Sequence, residues 1–243
     1  MMEFEKHPNL RAQITDRLFD AILQGELRPG ERIVENKLAR ELGIGQSTLR
    51  EVLQTLEQQG LITKFDNRGS FVTKLTARDV EGMYTVRLEL EPLAAVLAHK
   101  RLRPEHCARL ETLLDEMQIA LEQRSFTQLL KKDFAFHQYI WKLADIPSLE
   151  KALNIVCAPL FAFYMVRLSP HATADELSKA ADEFADDHQL HRELLAVLRN
   201  DDPKRVRATF RNMIQVFFQK NIEDLKSFSD APDALSTSAR VSV

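Results

Sequence analysis

The sequence predicts a mainly α-helical protein, in which a small N-terminal unit with a β-hairpin precedes an antiparallel bundle of six helices. Apolar residues recur at helical spacing along most of the 243 residues, and the count of only 7 glycines disfavours a turn-rich all-β fold. The hydrophobic share of 44% is enough to bury a core, which excludes a globally disordered chain. Strand-like runs occur only before Thr76, so the two parts are expected to differ in architecture.

In the N-terminal unit, a glycine follows each of three segments with helical periodicity and marks its end. The predicted helices cover about residues 10–24, 35–42 and 46–59. Two β-rich runs, 61–65 and 70–73, flank Asp-Asn-Arg-Gly at 66–69, a sequence typical of hairpins. The unit is therefore expected to contain three helices followed by a hairpin.

Six further helices are predicted after the hairpin, and each begins with a capping residue or a proline. Their starts lie at Thr76, Pro104, Ser125, Pro147, Thr173 and Asp202, and their ends near residues 101, 123, 143, 168, 199 and 226. Pro159 lies inside the fourth of them, where a proline removes a hydrogen bond, so a kink or a break is expected there. The predicted domains are residues 1–76 and 77–228, with a disordered tail over 229–243 that is rich in Ser, Ala and Asp.

Charge and cysteine content restrict the class of protein. Residues 1–76 carry 11 basic and 11 acidic side chains, and the net charge of −3 resides in the remainder. A nucleic-acid-binding unit here needs its positive charge concentrated on one face. Two cysteines without a CxxC pair, and no apolar run of about 20 residues, favour a cytoplasmic protein without a membrane span.

The spacing of Ala39, Gly43 and Leu49 predicts a helix-turn-helix, in which the first helix needs a small contact residue and the turn needs a residue that tolerates positive φ. The second helix then exposes side chains that hydrogen-bond to bases or phosphates, and the hairpin forms a wing. The predicted DNA-binding residues are Gln46, Ser47, Thr48 and Arg50 on the helix and Arg68 and Gly69 on the wing. The alternative is an ordinary helical hairpin in which Ala39 and Gly43 serve only packing.

Residues 10–73 resemble the winged helix of GntR-type bacterial transcription regulators. The resemblance is carried by G-x-L-x-P-G-E at 25–31, L-A-x-x-L-G-I at 38–44, L-R-E-V-L-x-x-L-x-x-x-G-L at 49–61 and R-G-S-F-V at 68–72. It implies that Arg50 contacts operator DNA. The chain has Gly45-Gln46 where the family often has Ser-Arg, and Thr48 where it often has Pro. Glutamine at position 46 changes the preferred base from guanine towards adenine, so the operator cannot be carried over.

In the helical part, Asp133 and His137 share one face of a helix, as do His188 and His191 on another. Facing helices of a bundle can bring such residues together as a metal site. The alternative is that Asp133 and His137 only hydrogen-bond each other and that His188 is solvated beside Asp186 and Asp187.

Residues 79–226 resemble the FCD ligand-binding domain of FadR-type regulators, in its six-helix, VanR-like branch. The matching patterns are D-x-x-F-H at 133–137, H-R-x-L-L at 191–195 and R-x-x-x-E at 87–91. The resemblance implies a divalent metal, such as Zn, Ni or Mn, held by Asp133, His137 and His191. The family's fourth ligand, a histidine, is replaced by Met213. A metal would therefore keep a coordination position for water or effector, since methionine is a poor ligand for such ions.

The same resemblance implies that Arg87 clamps a small carboxylate effector. The alternative role of Arg87 is an ion pair with Glu91 four residues later on its helix. Further candidates for the pocket are Tyr84 and Met213, with Arg167, Tyr164, Phe134 and Trp141 as weaker ones.

Together these features predict a cytoplasmic homodimer that regulates transcription, binds a palindromic operator and responds to an organic acid. A two-fold dimer is expected because a single small N-terminal unit without net charge supplies little affinity for DNA. Two alternatives stay open: a regulator that senses the metal itself, and a metal-dependent hydrolase or lyase that uses Asp133, His137 and His191.

Overall fold

The computed structural model describes residues 8–23, 25–167, 174–200 and 202–229 of the chain. Thr173 and residues 230–243 lie outside these ranges, and with them the predicted cap at Thr173 and almost all of the predicted tail. Within the described ranges, no helix is long and apolar enough to cross a membrane.

Three helices and a small sheet form the N-terminal head. The helices are α1 (Pro8–Leu23), α2 (Glu35–Leu42) and α3 (Gln46–Gln58), and the strands are β1 (Arg32–Ile33), β2 (Ile62–Phe65) and β3 (Gly69–Val72). Ala39 is buried where α2 meets α3, and Gly43 ends α2 with φ +65°. Ala39 therefore allows the close contact of the two helices and Gly43 the turn between them, as the helix-turn-helix spacing predicted.

The sheet differs from the predicted hairpin by one additional strand. Strands β1, β3 and β2 lie side by side in that order, and both pairs are antiparallel. The two-residue strand β1 was missed because it is too short to show an alternating pattern. Hydrogen bonds from Gly30 to Val72 and from Val72 to Glu31 hold it on β3.

The bundle contains the six predicted helices. They are α4 (Ala77–His99), α5 (Pro104–Glu122), α6 (Phe126–Leu143), α7 (Pro147–Arg167), α8 (Ala174–Asn200) and α9 (Pro203–Ser229). Helix α4 packs against α6, α7, α8 and α9, so its inward side chains reach the centre of the bundle. The predicted fold class, a winged helix-turn-helix followed by six helices, is confirmed.

Two details of the bundle differ from what the sequence predicted. Of the kink or break expected at Pro159, the break is absent, because helix α7 continues through the proline. The proline leaves one helical hydrogen bond unmade, and its ring lies close to Gly60 of the head. Ser125 precedes α6 without a side-chain capping bond, whereas Thr76 and Asp79 form the full capping box that was predicted for α4.

Candidate DNA-binding face and buried pocket

The start of α3 presents polar side chains on the surface of the head. Gln46, Ser47 and Arg50 are exposed and Thr48 is half-buried. Leu49 and Val52 point inward and are buried, which holds α3 against the rest of the head. The polar face of the predicted recognition helix is therefore free to enter a groove of DNA.

The hairpin between β2 and β3 places Arg68 and Gly69 at the tip of the wing. Arg68 is exposed, and its N–H donates to the carbonyl of Phe65. Gly69 has φ +93° and Asn67 has φ +61°, so the turn depends on residues that tolerate the left-handed region. The turn directs Arg68 away from the body of the head, where a phosphate or the minor groove can reach it.

Arg50 has a partner that the sequence did not predict. Its Nε lies 2.9 Å from Oε2 of Glu35, the first residue of α2. The Arg50 side chain is still 68% exposed. The pair holds the guanidinium group through Nε, so its terminal nitrogens are not used in this contact.

In the bundle, Asp133, His137 and His191 converge although α6 and α8 are far apart in sequence. The Nε2 atoms of His137 and His191 lie 3.1 Å apart. Oδ1 of Asp133 lies 3.0 Å from the His191 nitrogen and 3.4 Å from the His137 nitrogen. Ligands on one face of an octahedral metal are about 3 Å apart when the metal–ligand distance is about 2.1 Å. The three atoms therefore have the spacing of metal ligands.

The second nitrogen of each ring faces a different oxygen. His191 Nδ1 lies 2.6 Å from the carbonyl oxygen of Asp187, to which it can only donate. His137 Nδ1 lies 3.1 Å from Oε1 of Glu91, at an ion-pair distance but without the alignment of a hydrogen bond. With a proton on each Nδ1, both Nε2 atoms direct a lone pair at the Asp133 oxygen and at each other. Such outer partners orient metal-ligating histidines in many proteins.

These lone pairs repel each other unless a cation lies between them. Burial lowers the pKa of His137, but the carboxylates of Glu91 and Asp133 outweigh this effect and raise the pKa to about 9. Burial also raises the pKa of Asp133, and the two imidazoles nevertheless hold it well below its usual range. A proton on His137 therefore supplies the positive charge, and a divalent ion in its place would supply the same.

Glu91 connects this cluster to Arg87. Its Oε2 accepts from Arg87 Nε at 2.9 Å, and its Oε1 accepts from Trp141 Nε1 at 3.1 Å. Burial raises the pKa of Glu91, but Arg87 and His137 outweigh this and lower it to about 2. The guanidinium carbon of Arg87 also lies 5.7 Å from the ring centroids of both Tyr84 and Phe161. The ion pair with Glu91 is therefore present, and aromatic rings hold its cation in place.

A narrow cavity adjoins both groups, with about 20 Å³ of space for the centre of a water-sized sphere. A cavity needs about 10–15 Å³ of such space to hold one water, so this one has room for a water or an ion, and a larger ligand would displace side chains of its walls. Its walls are formed by Arg87, Leu130, Asp133, His137, Phe161, Tyr164, Asp187, Leu190, His191, Met213 and Phe217.

The remaining candidate residues take different positions. The Tyr84 hydroxyl is 2.6 Å from that of Tyr164, so Tyr84 supports the wall through Tyr164. The side chain of Arg167 lies outside the described part of the chain. The view of His188 as a solvated residue was wrong, because it is buried with Nε2 2.9 Å from the carbonyl oxygen of Leu114. This contact keeps His188 out of the Asp133 cluster.

Sequence reasoning missed the contacts of Glu91 with His137 and Trp141. The spacing of Arg87 and Glu91 indicated a pair within one helix, and nothing in the sequence linked Glu91 to α6. A glutamate on the apolar face of α4 was the available signal, because a buried carboxylate needs partners.

Family models match both parts of the chain. The model described as bacterial regulatory proteins of the gntR family matches residues 10–72, and the FCD domain model matches residues 82–216. The HTH-type transcriptional regulator YdhC of Bacillus subtilis is 34% identical over 59% of this chain and 65% of its own length. The regulator McbR of Escherichia coli is 26% identical over 86% of this chain and 91% of its own.

Two further comparisons extend over most of the chain. The gluconate operon repressor of Bacillus licheniformis is 24% identical over 84% of this chain and 81% of its own length. The solved structure of Escherichia coli McbR has a TM-score of 0.73 at 23% identity, over 90% of this chain and 98% of that one, which shows the fold. The matched relatives are named as transcription regulators and not as enzymes, so the hydrolase or lyase alternative is set aside. The chain belongs to the GntR family of bacterial DNA-binding transcription regulators, in the FadR-type subgroup that carries an FCD domain.

Proposed function

We propose that the chain acts as a homodimer that binds operator DNA through α3 and the wing, and that a small carboxylate in the bundle controls this binding. The polar face of α3, with Arg50 exposed, is the observation that supports the DNA contact. A neutral head offers weak non-specific attraction to DNA, so two linked heads are needed for affinity. The cytoplasm, where the DNA lies, is the matching compartment.

A carboxylate is the ligand that suits the pocket. Arg87 lines the cavity and pairs with Glu91 through Nε, so its terminal nitrogens are the donors that a ligand would use. Guanidinium groups bind carboxylates through two parallel hydrogen bonds. Sugar acids are one group of carboxylates, and the name of one relative, the gluconate operon repressor, contains a sugar acid.

A divalent ion fits beside that ligand. Among the described residues, Oδ1 of Asp133 is buried without a hydrogen-bond partner, and two imidazole lone pairs face it. Asp133, His137 and His191 would hold the ion, and Met213 leaves a position for a water or an effector oxygen. An ion bound there would polarise the effector carboxylate and orient it towards Arg87.

A thermal-shift screen of organic and sugar acids tests the effector. A ligand that binds the folded state raises the melting temperature, because the stabilisation grows with the logarithm of its concentration divided by its Kd. We expect an acid that stabilises the wild type to lose this effect in Arg87→Lys, which keeps the charge and removes the two-pronged geometry. The matched control is Arg109→Lys on the exposed face of α5. If the stabilising acids act equally on the wild type and Arg87→Lys, the proposed clamp is wrong.

The same screen, repeated after chelation, separates an effector-controlled regulator from a metal sensor. A chelated protein that still changes its operator affinity with an acid excludes the sensor. If the operator affinity changes with the metal concentration and with no acid, the protein is a metal sensor and the effector proposal is wrong.

A further inference from the structure

The head contacts the bundle along a seam formed by α1, α6 and α7. Phe19 of α1 stacks on Phe134 of α6, with ring centroids 6.0 Å apart and ring planes inclined by 17°. The next residue of α1, Asp20, forms an ion pair with Lys131, which lies one turn before Phe134. Helix α1 also packs against α7. The head is thus held by side chains as well as by the connecting backbone.

A second contact in this seam joins backbone to backbone. Gly60 has φ +75°, and a Cβ placed on it would lie 2.9 Å from the carbonyl oxygen of Ile155 and 3.0 Å from Cγ of Pro159. Pro159 has no N–H, so it leaves the Ile155 carbonyl without its usual helical donor. This carbonyl faces Gly60, where no side chain has room. The close approach fixes one point of the head on α7.

Phe134 touches the pocket side of the bundle as well as the head. Its ring lies 4.9 Å from that of Phe161, which lines the cavity, and 5.8 Å from that of Trp141. Trp141 in turn donates a hydrogen bond to Glu91. Phe134 is therefore in contact with both the pocket wall and α1.

We propose that Phe134 is a positioning residue through which the bundle sets the orientation of the DNA-binding head, with the Gly60–Pro159 contact as the fixed point. Two heads of a dimer read half-sites about 34–36 Å apart only if each head is held at a defined angle. A head tethered by its backbone alone would accept several spacings. This inference rests on the proposed two-headed binding of operator DNA.

The preference for one half-site spacing is a ratio of affinities, and a general loss of stability leaves this ratio unchanged. An operator is first selected from random DNA with the wild-type protein, and base pairs are then inserted or removed between its half-sites. We expect the wild type to prefer the selected spacing by at least about tenfold and Phe134→Leu to lose most of this preference. A purely structural defect would lower the affinity for every spacing alike and leave the ratio unchanged.

Matched variants isolate the seam. Phe126→Leu is the control, because Phe126 lies on the same helix and packs against Phe184 of α8 instead of the head. We expect it to keep the wild-type preference. Phe19→Leu removes the other half of the stacked pair and should lose the preference as Phe134→Leu does. The double variant should lose no more than either single one, since residues in contact are not additive.

Trp141 reports on the pocket side, since it is the only tryptophan in the sequence. Operator binding should shift its fluorescence emission in the wild type and in Phe126→Leu, and Phe134→Leu should abolish the shift. An emission that operator DNA leaves unchanged in the wild type overturns the link to the pocket. Retention of the spacing preference by Phe134→Leu overturns the inference alone. A wild type without any preference contradicts two-headed binding, and the inference fails with it.

Discussion

Met213 lines the pocket beside the three candidate ligands, at the position where the resemblance to the family places a fourth histidine. Its thioether is a weak donor for zinc, nickel or manganese, so the coordination sphere of the proposed ion would stay open on this side. In the proposed site, the residue at this one position would decide whether the protein or the effector completes the coordination.

We predict that Met213→His tightens the binding of a divalent ion, because it adds an imidazole to two others and a carboxylate. The expected gain is about tenfold or more, on the scale of changes around metal sites. Calorimetric titration with Zn, Ni and Mn, together with elemental analysis, measures it. Met213→Leu is the matched control, which keeps the apolar volume and should bind as the wild type does. If neither the wild type nor Met213→His binds any of these ions, the three residues only line the effector pocket.

At the DNA face we predict that Arg50→Ala loses specific operator binding while the fold is retained. The side chain is 68% exposed, so its removal leaves the core of the head intact. A lost base contact costs about 1–3 kcal/mol, or roughly fivefold to more than a hundredfold in affinity. Gel-shift or anisotropy titration measures the loss, with Arg109→Ala on the exposed face of α5 as control. Unchanged operator affinity in Arg50→Ala would show that the recognition helix has been misplaced.

Among the elements, helix α4 carries Arg87, which lines the pocket, and Glu91, which pairs with it. A capping box fixes the first turn of this helix. The Thr76 side chain accepts from the N–H of Asp79, and the Asp79 carboxylate accepts from the N–H of Thr76 at 2.9 Å. The hydrogen bonds from the Thr76 side chain and backbone lower the pKa of Asp79. The charged form of Asp79 is therefore the one that stabilises the start of α4.

We predict that Asp79→Ala lowers the free energy of unfolding by about 1 kcal/mol at pH 7. The folded-state pKa lies below the unfolded value near 3.8, so the contribution is present above that value and disappears as the pH falls through the folded pKa. Urea unfolding of both proteins from pH 7 down to pH 2 measures the difference, which should shrink with acid. Asp66→Ala in the wing tip serves as control. A difference that stays constant down to pH 2 would rule out the charged cap.

At the scale of the whole molecule, the proposed reading of a palindromic operator requires two copies of the chain. We predict that the full chain is a dimer at micromolar concentration and that the fragment 1–76 binds the operator far more weakly. The fragment lacks the helical domain, where we expect dimerisation, and with it the linked second head. Light scattering gives the mass of the full chain, and titration of both proteins with the same operator gives the affinities. A monomeric full chain at micromolar concentration would contradict the proposed assembly.

Much of the architecture could be read from local sequence. Glycine stops, capping residues and apolar spacing located the helices within a few residues, because these signals act over one or two turns. The spacing of Asp133 and His137 likewise placed both on one face of α6. Strand β1 had no such signal, since its two residues depend wholly on pairing with β3.

The sequence alone therefore determined the order of the elements, the helix-turn-helix and the residue types of the site. Tertiary structure decided which of those residues meet. His137 and His191 are 54 positions apart, and Glu91 is 50 positions from Trp141. Periodicity shows which face of a helix is buried, but it does not show which neighbour that face meets. The partners of His188, the contact of Phe134 with the head and the accommodation of Pro159 within α7 all follow from how the helices pack.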